Sequence, residues 1–516
     1  MNRTGRREFL ADVGRAMLLA GVGSQLAGDL GLARASADEE TPPLKFGALE
    51  PMVAMMQDLP PERLLPLLVE QIKAGTSLDR LLAAGALANA RTFGGEDYIG
   101  FHTFMALVPA GEMARELPEE LAPLPVLKVL YRNTARIQAF GGREAEVLHP
   151  VAVDPSAGVP DGVALREATR KGDFEAAERT FAAMMQGGMN EAYNQLQLPV
   201  QDEENVHRVV LAWRAWSTLD LTGKEHAHTL LRQTVRFCCE TEADRKNRPP
   251  AAIRELLPKL LDQNGLLKKP LGERLADDEW IEKFSKTVFA STKEQAAEAA
   301  AMALAEGISP ESIGEAISLA ATELLLRDPG RPERYASPEK PVGSVHGDSF
   351  GVHASDAANA WRGIASVSNH RNTVASLIVA ASHTAGQSGY VGSDPFELKA
   401  NVGELADLDG DGLLREAETA IKASDQSRTG AIVRAYGERQ LPYRPLFDLL
   451  LRHSVSEDGA LHAEKYYRTV TEEFARTRPA FRWRHVTALG RVIASEYGRP
   501  APGYSEAREL LSIKKA

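Results

Sequence analysis

Residues 293–326, KEQAAEAAAMALAEGISPESIGEAISLAATELLL, decide the fold class. An alanine-rich segment ends at Gly307, and Ser309 with Pro310 then starts a second helix. Serine is a favoured N-cap, and proline is tolerated at the first helical position because the N–H that it lacks would be unbonded there. Similar apolar-periodic segments separated by Pro/Gly loops fill the rest of the chain, and strand patterns are nearly absent. The sequence therefore predicts an all-α protein.

An acid–histidine element recurs four times along the chain. The copies read DYIGFH at 97–102, DEENVH at 202–207, DSFGVH at 348–353 and DGALH at 458–462. A basic residue follows each histidine by roughly thirty positions, namely Arg136, Arg236, His383 and Arg491. Such recurrence predicts four degenerate helical repeats, arranged as a helical array or a toroid. Their predicted bounds are 56–140, 160–245, 290–390 and 415–498.

The segment TGRREFL at residues 4–10 carries the paired arginines Arg6 and Arg7, followed by a weakly apolar run. This pattern resembles a twin-arginine (Tat) export signal, which is an address read by a receptor and lies outside the fold. The resemblance implies that residues 1–37 are a signal peptide, that 38–55 form a linker, and that the Tat machinery exports the protein to the periplasm or beyond. Charged residues interrupt the apolar run, so no membrane anchor is expected. A disordered basic leader is the alternative.

Composition excludes several classes of protein. The chain of 516 residues has 60 lysines and arginines against 71 aspartates and glutamates, a formal charge of −11. An acidic chain without a basic tract is a poor nucleic-acid binder. The two cysteines, Cys238 and Cys239, are adjacent and form no C-x-x-C motif. A disulfide framework, thiolate zinc and covalently attached c-type haem are therefore not expected.

The segment DLDGDGLLREAE, residues 407–418, matches an EF-hand loop. Such loops hold calcium with side-chain oxygens at positions 1, 3 and 5, a backbone carbonyl at 7 and a bidentate carboxylate at 12. The residues at these positions are Asp407, Asp409, Asp411, Leu413 and Glu418. Four carboxylates this close repel one another unless a hard cation lies between them. We therefore expect calcium in an EF-hand-like segment, 396–422, in a structural role, with a solvated acidic turn as the alternative.

The repeated histidines, His102, His207, His353 and His462, have two interpretations. In the first, four equivalent units pack around one centre, where gathered imidazoles bind a cofactor such as iron, copper, zinc or haem. In the second, each histidine caps or wedges the start of its own helix and bonds the acidic loop of its own repeat. Because repeats also repeat their structural residues, the second is the expected outcome for all four together.

The third repeat is the best candidate for catalysis. It contains His346, His353, His370 and His383, four of the twelve histidines of the chain. His346, His353 and His383 are therefore the candidate catalytic residues, as metal ligands or as a general base, against the alternative of satisfied core histidines. No serine-nucleophile elbow, glycine-rich phosphate loop, HExxH motif or dinucleotide fingerprint occurs in the chain.

The segments YIGFHTFMAL at 98–107 and VLKVLYRNTARIQ at 126–138 resemble a family of exported bacterial proteins of uncharacterised function. The resemblance extends to 345–362 and to the C-terminal repeat. The histidine-bearing helical repeats are also similar to questin oxidase-like proteins, which perform oxygen insertion. This second resemblance rests on the placement of the histidines and on the regular succession of helices, and it implies an oxidoreductase.

These observations predict an exported, histidine-centred oxidoreductase that depends on a metal or haem and acts on a small organic substrate. The alternative is a non-enzymatic, calcium-stabilised helical-repeat scaffold or binding protein, and a hydrolase is a third possibility. The arrangement of the repeat histidines discriminates between the first two. Histidines that face one cavity favour the enzyme, whereas histidines dispersed along a solenoid favour the scaffold.

Overall fold

The computed structural model describes residues 32–34, 43–153, 158–245, 249–338, 340–345, 349–392, 394–398 and 405–513. Within these ranges nearly all of the regular secondary structure is helical, which confirms the all-α prediction. Two three-residue strands, Leu32–Arg34 and Val151–Val153, pair in parallel. Arg6 and Arg7 of the predicted export signal lie outside the described residues. None of the described helices is both long enough and apolar enough to cross a membrane.

The first half of the chain contains α1 Glu50–Asp58, α2 Pro61–Lys73, α3 Leu78–Phe93, α4 Tyr98–Glu116, α5 Pro123–Phe140, α6 Gly162–Arg170, α7 Phe174–Gln186, α8 Met189–Val200, α9 Val206–Ser217, α10 Leu219–Thr222, α11 Ala227–Asp244 and α12 Ile253–Gln263. The second half contains α13 Asp278–Ala290, α14 Lys293–Ala305, α15 Pro310–Arg327, α16 Phe350–Val367, α17 His370–Ala385, α18 Gly410–Lys422, α19 Gln426–Glu438, α20 Tyr443–Ser456, α21 His462–Arg476, α22 Trp483–Glu496 and α23 Tyr504–Leu510. Each repeat histidine lies in the first turns of a helix, namely α4, α9, α16 and α21, and at least two helices precede that helix within its predicted repeat.

Local capping signals fix where the histidine helices begin. Asp97 caps α4 by accepting a hydrogen bond from the Gly100 amide at 2.6 Å. Asn205 and Ser349 cap α9 and α16 in the same way. Side chains of this type satisfy amides that have no partner inside the first turn of a helix. The caps therefore place each of these histidines within five residues of a helix start.

The four histidine helices pack side by side in a closed ring: α4 on α9, α9 on α16, α16 on α21, and α21 on α4. Contacts between α16 and α21 show that these two helices run in the same direction. His353 lies against His462, Asp356 accepts a hydrogen bond from Thr469 at 2.8 Å, and an Asn359 amide donates to Glu473 one turn further along. The ring is a four-helix bundle whose histidines all lie at the end where its helices begin.

The described structure of residues 407–418 does not confirm the predicted EF-hand loop. Helix α18 begins at Gly410, and its N-cap Asp409 accepts a hydrogen bond from the Gly412 amide at 2.7 Å. Glu418 forms an ion pair with Lys422 at 2.8 Å. Nine residues of helix place Asp409 and Glu418 about 13 Å apart along the axis, too far to share one ion. The same residues also favour the start of a helix, because an aspartate caps the first turn and acidic residues there interact favourably with the helix dipole.

Candidate metal centre

His102, His207, His353 and His462 meet at one end of the bundle. The centroid of the His102 ring lies 4.8 Å from that of His207 and 5.0 Å from that of His462. The His353 ring lies 5.5 Å from His207 and 5.2 Å from His462. Each imidazole therefore contacts two others, and the four rings close a circuit that we call the histidine cluster. The cluster joins residues of all four predicted repeats.

The expectation that each histidine would bond the acid of its own repeat is wrong for His102, His207 and His462, whereas Asp348 of the third repeat lies outside the described residues. Asp97 forms an ion pair with Arg136, and Asp458 forms one with Arg132. Asp202 pairs with Arg170 at 2.7 Å. Because these aspartates form ion pairs with arginines, the histidine rings contact one another instead.

Two histidines donate their Nδ1 hydrogen to the backbone. The Nδ1 atom of His102 lies 2.5 Å from the carbonyl oxygen of Tyr98, and Nδ1 of His462 lies 3.1 Å from that of Ala460. A carbonyl oxygen only accepts hydrogen bonds, so Nδ1 carries the hydrogen in both rings. The lone pair of each of these rings is therefore on Nε2, and the backbone contact fixes the tautomer as it does for many metal-bound histidines.

Two of the four Nε2 atoms have no hydrogen-bond partner among the described residues. In the described part of the chain, Nε2 of His102 and of His207 is buried and has no hydrogen-bond partner. Nε2 of His353 lies 3.3 Å from Nε2 of His462. One ring nitrogen each from His102, His207 and His353 lies within 4.8 Å of the others. Buried acceptors left unsatisfied are rare and destabilising, so this convergence calls for an occupant that accepts lone pairs.

Burial keeps the imidazoles neutral. It is the main cause that lowers the pKa of His102, His207 and His462 well below the usual range. The positive charge of Lys465 lowers the pKa of all three further. At neutral pH these rings are therefore uncharged, which is the protonation state that binds a metal ion.

Aromatic rings border the cluster on one side. The ring of Tyr98 lies 4.6 Å from His102 and 5.4 Å from His207, and its side chain is 57% exposed. Phe101 stacks on His102 at 4.9 Å. His207 and His353 are themselves only partly buried. The cluster therefore lies just below the surface, beside the exposed ring of Tyr98.

Of the two other predicted catalytic residues, His383 is described and lies outside the cluster. His346 lies outside the described residues. His383 is buried in α17, where its Nδ1 atom accepts a hydrogen bond from the Trp361 indole at 3.3 Å. Burial is the main cause that lowers the pKa of His383 to about 4, although the charge of Glu204 opposes that shift. Its described contacts are those of a satisfied core histidine.

Sequence reasoning missed the buried charged residues that continue below the cluster. Asp356 and Lys465 each follow a cluster histidine by three residues, and Arg214 follows His207 by seven. All three are buried. The signal that identifies them is helical spacing, because residues three, four and seven apart lie on one face of a helix.

Fold and site together define an all-α protein with a four-histidine cluster at the end of a bundle of parallel helices. No protein-family model, curated protein or solved structure matches the chain.

Proposed function

We propose that the protein is an exported metalloenzyme, an oxidoreductase acting on a small organic substrate at a metal ion held by the histidine cluster. The observation that carries the proposal is the convergence of three imidazole nitrogens, two of which have no hydrogen-bond partner among the described residues. His102 and His207 have buried, unpaired ring nitrogens, and a ring nitrogen of His353 lies within 4.8 Å of theirs. A single ion would satisfy these lone pairs together.

The ligand chemistry favours a transition metal. The grouped ligands are imidazoles with no carboxylate among them. Imidazole suits zinc, copper, iron and nickel, whereas calcium and magnesium prefer oxygen ligands. Haem fits less well, because the four rings contact one another at 4.8 to 5.5 Å and leave no space for a porphyrin between them.

The number of ligands supports catalysis over a purely structural role. Three histidines with an open fourth position are typical of catalytic metal sites. His102, His207 and His353 supply such a triad. His462 lies beside His353 and is placed to act as a fourth ligand or to hydrogen-bond a substrate. Tat export would suit such a centre, because that pathway carries proteins that are already folded, often with a cofactor loaded in the cytoplasm.

Four diverged copies of one helical unit, arranged as a toroid, would explain the closed ring of histidine helices. Each copy would contribute one helix and one ligand. The basic residues that follow each repeat histidine by roughly thirty positions have diverged in role. Arg136 pairs with Asp97, whereas Arg491 donates to the backbone carbonyls of Leu325 and Asp328.

Elemental analysis of protein exported by its native host tests the metal centre. We expect about one equivalent of a transition metal per chain, and His370→Ala should retain it, because His370 opens α17 and lies outside the cluster. Protein that contains no transition metal and takes up none on reconstitution would refute the proposal. That result would leave the non-enzymatic scaffold as the function that the helical array supports.

Calcium at residues 407–418 is a separate proposal for the ion-loaded form of this segment. Binding would require the first two turns of α18 to unwind so that Asp409 and Glu418 approach one ion. Millimolar calcium should then raise the melting temperature, since a ligand at a hundredfold excess over Kd stabilises by about 2.7 kcal/mol. The double variant Asp407→Ala/Glu418→Ala should lose that rise. Identical melting curves in calcium and in chelator would show that the helix described here persists.

A further inference from the structure

A second layer of buried polar side chains lies one helical turn below the histidine cluster. Asp356 follows His353, and Lys465 follows His462, by three residues on α16 and α21. Residues three apart lie on the same face of a helix, so both side chains face the same way as the histidines. Thr469 on the facing helix donates a hydrogen bond to Asp356 at 2.8 Å. The layer is therefore continuous with the cluster.

Lys465 is buried without the contacts that usually accompany a buried lysine. It is 2% exposed, and within the described ranges its ammonium makes no hydrogen bond or ion pair. Lys128 provides the comparison, since it is equally buried. Its Nζ atom donates to the carbonyl oxygens of Ser454 at 2.9 Å and Glu457 at 2.7 Å, and it pairs with Glu464 at 2.6 Å. A buried ammonium group lacking such contacts is destabilising, which points to a role outside stability.

The charge of Lys465 acts directly on the cluster. It lowers the pKa of His102, His207 and His462, and its position three residues after His462 places it on the same face of α21 as that ring. Burial is the main cause that lowers the pKa of Lys465 itself to about 8, against the opposing effect of Asp356.

Within the described ranges, a metal in this cluster would have no negatively charged ligand. Neutral imidazoles contribute no charge, and the ligand group contains no carboxylate. Asp356 and Glu464 are the carboxylates that act on Lys465, and Glu464 already pairs with Lys128. A divalent ion and the Lys465 ammonium therefore carry more positive charge than Asp356 balances. In a buried site such an excess is strongly unfavourable unless an anion enters.

We infer that an anionic ligand binds between the metal and the Lys465 ammonium. The ligand is either a small inorganic anion or the ionised oxygen of an organic acid, and Lys465 selects for its charge. This inference rests on the metal centre proposed above and names the substrate class of that centre. The neutral ligands leave the metal positively charged, with an open coordination position for the anion. Lys465 supplies the second contact to the anion.

Titration of copper- or cobalt-loaded protein with azide, followed by absorption of the metal, tests the inference. Lys465→Met should weaken azide binding by about tenfold or more, which corresponds to about 1.4 kcal/mol. Lys465→Arg keeps the charge and should bind azide as the unmodified protein does. If Lys465→Met fails to fold, Lys465→Gln takes its place as a polar variant without charge. Metal content and melting temperature are measured for each variant first.

Benzoate is the second probe, and it distinguishes the two sources of anion. Competition of benzoate with azide indicates an organic acid as the substrate, and binding of azide alone indicates a small inorganic anion. Lys465→Met protein that holds metal and binds both probes as tightly as the unmodified chain would overturn the inference while leaving the metal centre standing. Unmodified protein that binds no metal would instead refute the proposed function itself.

Discussion

Replacing Arg362 with methionine should lower the free energy of unfolding by about 3 to 5 kcal/mol. The guanidinium of Arg362 is 2% exposed and donates to the carboxylate of Glu473, which is 1% exposed, at 2.5 Å. It also donates to Glu311 and to the carbonyl oxygen of Arg476. Methionine fills similar space but leaves the Glu473 charge buried without its partner. Chemical denaturation measures the loss.

Acid should remove the same stabilisation in a defined pH window. Burial alone would raise the pKa of Glu473, but the charge of Arg362 and hydrogen bonds outweigh it and lower the pKa to about 2. A carboxylate with a lowered folded-state pKa stabilises the protein above its unfolded pKa, which is about 4.3. The contribution is lost as the pH falls from there to about 2. Arg362→Met should therefore show a weaker dependence of stability on pH across this window.

Arg434→Met is the matched control for this pair. Arg434 forms an ion pair with Glu438 four residues along α19, and the two side chains are 64% and 63% exposed. Exposed pairs of this kind contribute about 0.3 to 0.5 kcal/mol. Equal losses for Arg362→Met and Arg434→Met would show that burial of the first pair is unimportant. The buried pair matters for the site, because it joins α16 to α21, which carry His353 and His462.

The second large effect is expected from His207→Leu. Metal affinity should fall by about tenfold to a hundredfold or more, because one ligand of the cluster is lost. The metal-free protein should keep its stability or gain up to about 1 kcal/mol, since leucine removes a buried Nε2 atom that has no hydrogen-bond partner in the described structure. Metal titration and denaturation of the metal-free protein measure the two effects separately.

His485→Leu is the control, because His485 is a buried histidine whose two ring nitrogens are both bonded. Its Nδ1 atom lies 2.7 Å from the Thr322 hydroxyl and Nε2 lies 3.1 Å from the Thr477 hydroxyl. Leucine there should cost about 2 kcal/mol of stability, about 1 kcal/mol for each hydrogen bond, and should leave metal binding intact. If His207→Leu behaved like His485→Leu in both measurements, the cluster would be structural.

The sequence predicted the helical class because its signals are local. In residues 293–326, Ser309 caps α15 and Pro310 occupies its first position, as expected. The acid–histidine elements likewise place His102, His207 and His353 near helix starts, because Asp97, Asn205 and Ser349 are caps. Local patterns fail to predict the structure where one sequence is compatible with two local structures. Residues 407–418 satisfy the EF-hand pattern, yet the structure uses Asp409 as an N-cap.

What the sequence determined by itself is therefore the helical class, the recurrence of the acid–histidine element and the positions of the histidines along their helices. Only the tertiary structure decided that these histidines meet, because His353 and His462 are 109 residues apart and nothing local fixes which face of each helix points inward. The pairing of Asp97 and Asp458 with arginines also depends on long-range packing. The closed ring of helices brings together four histidines that each lie near the start of a different helix. Because the nearby aspartates pair with arginines, these histidines form one cluster of neutral imidazoles.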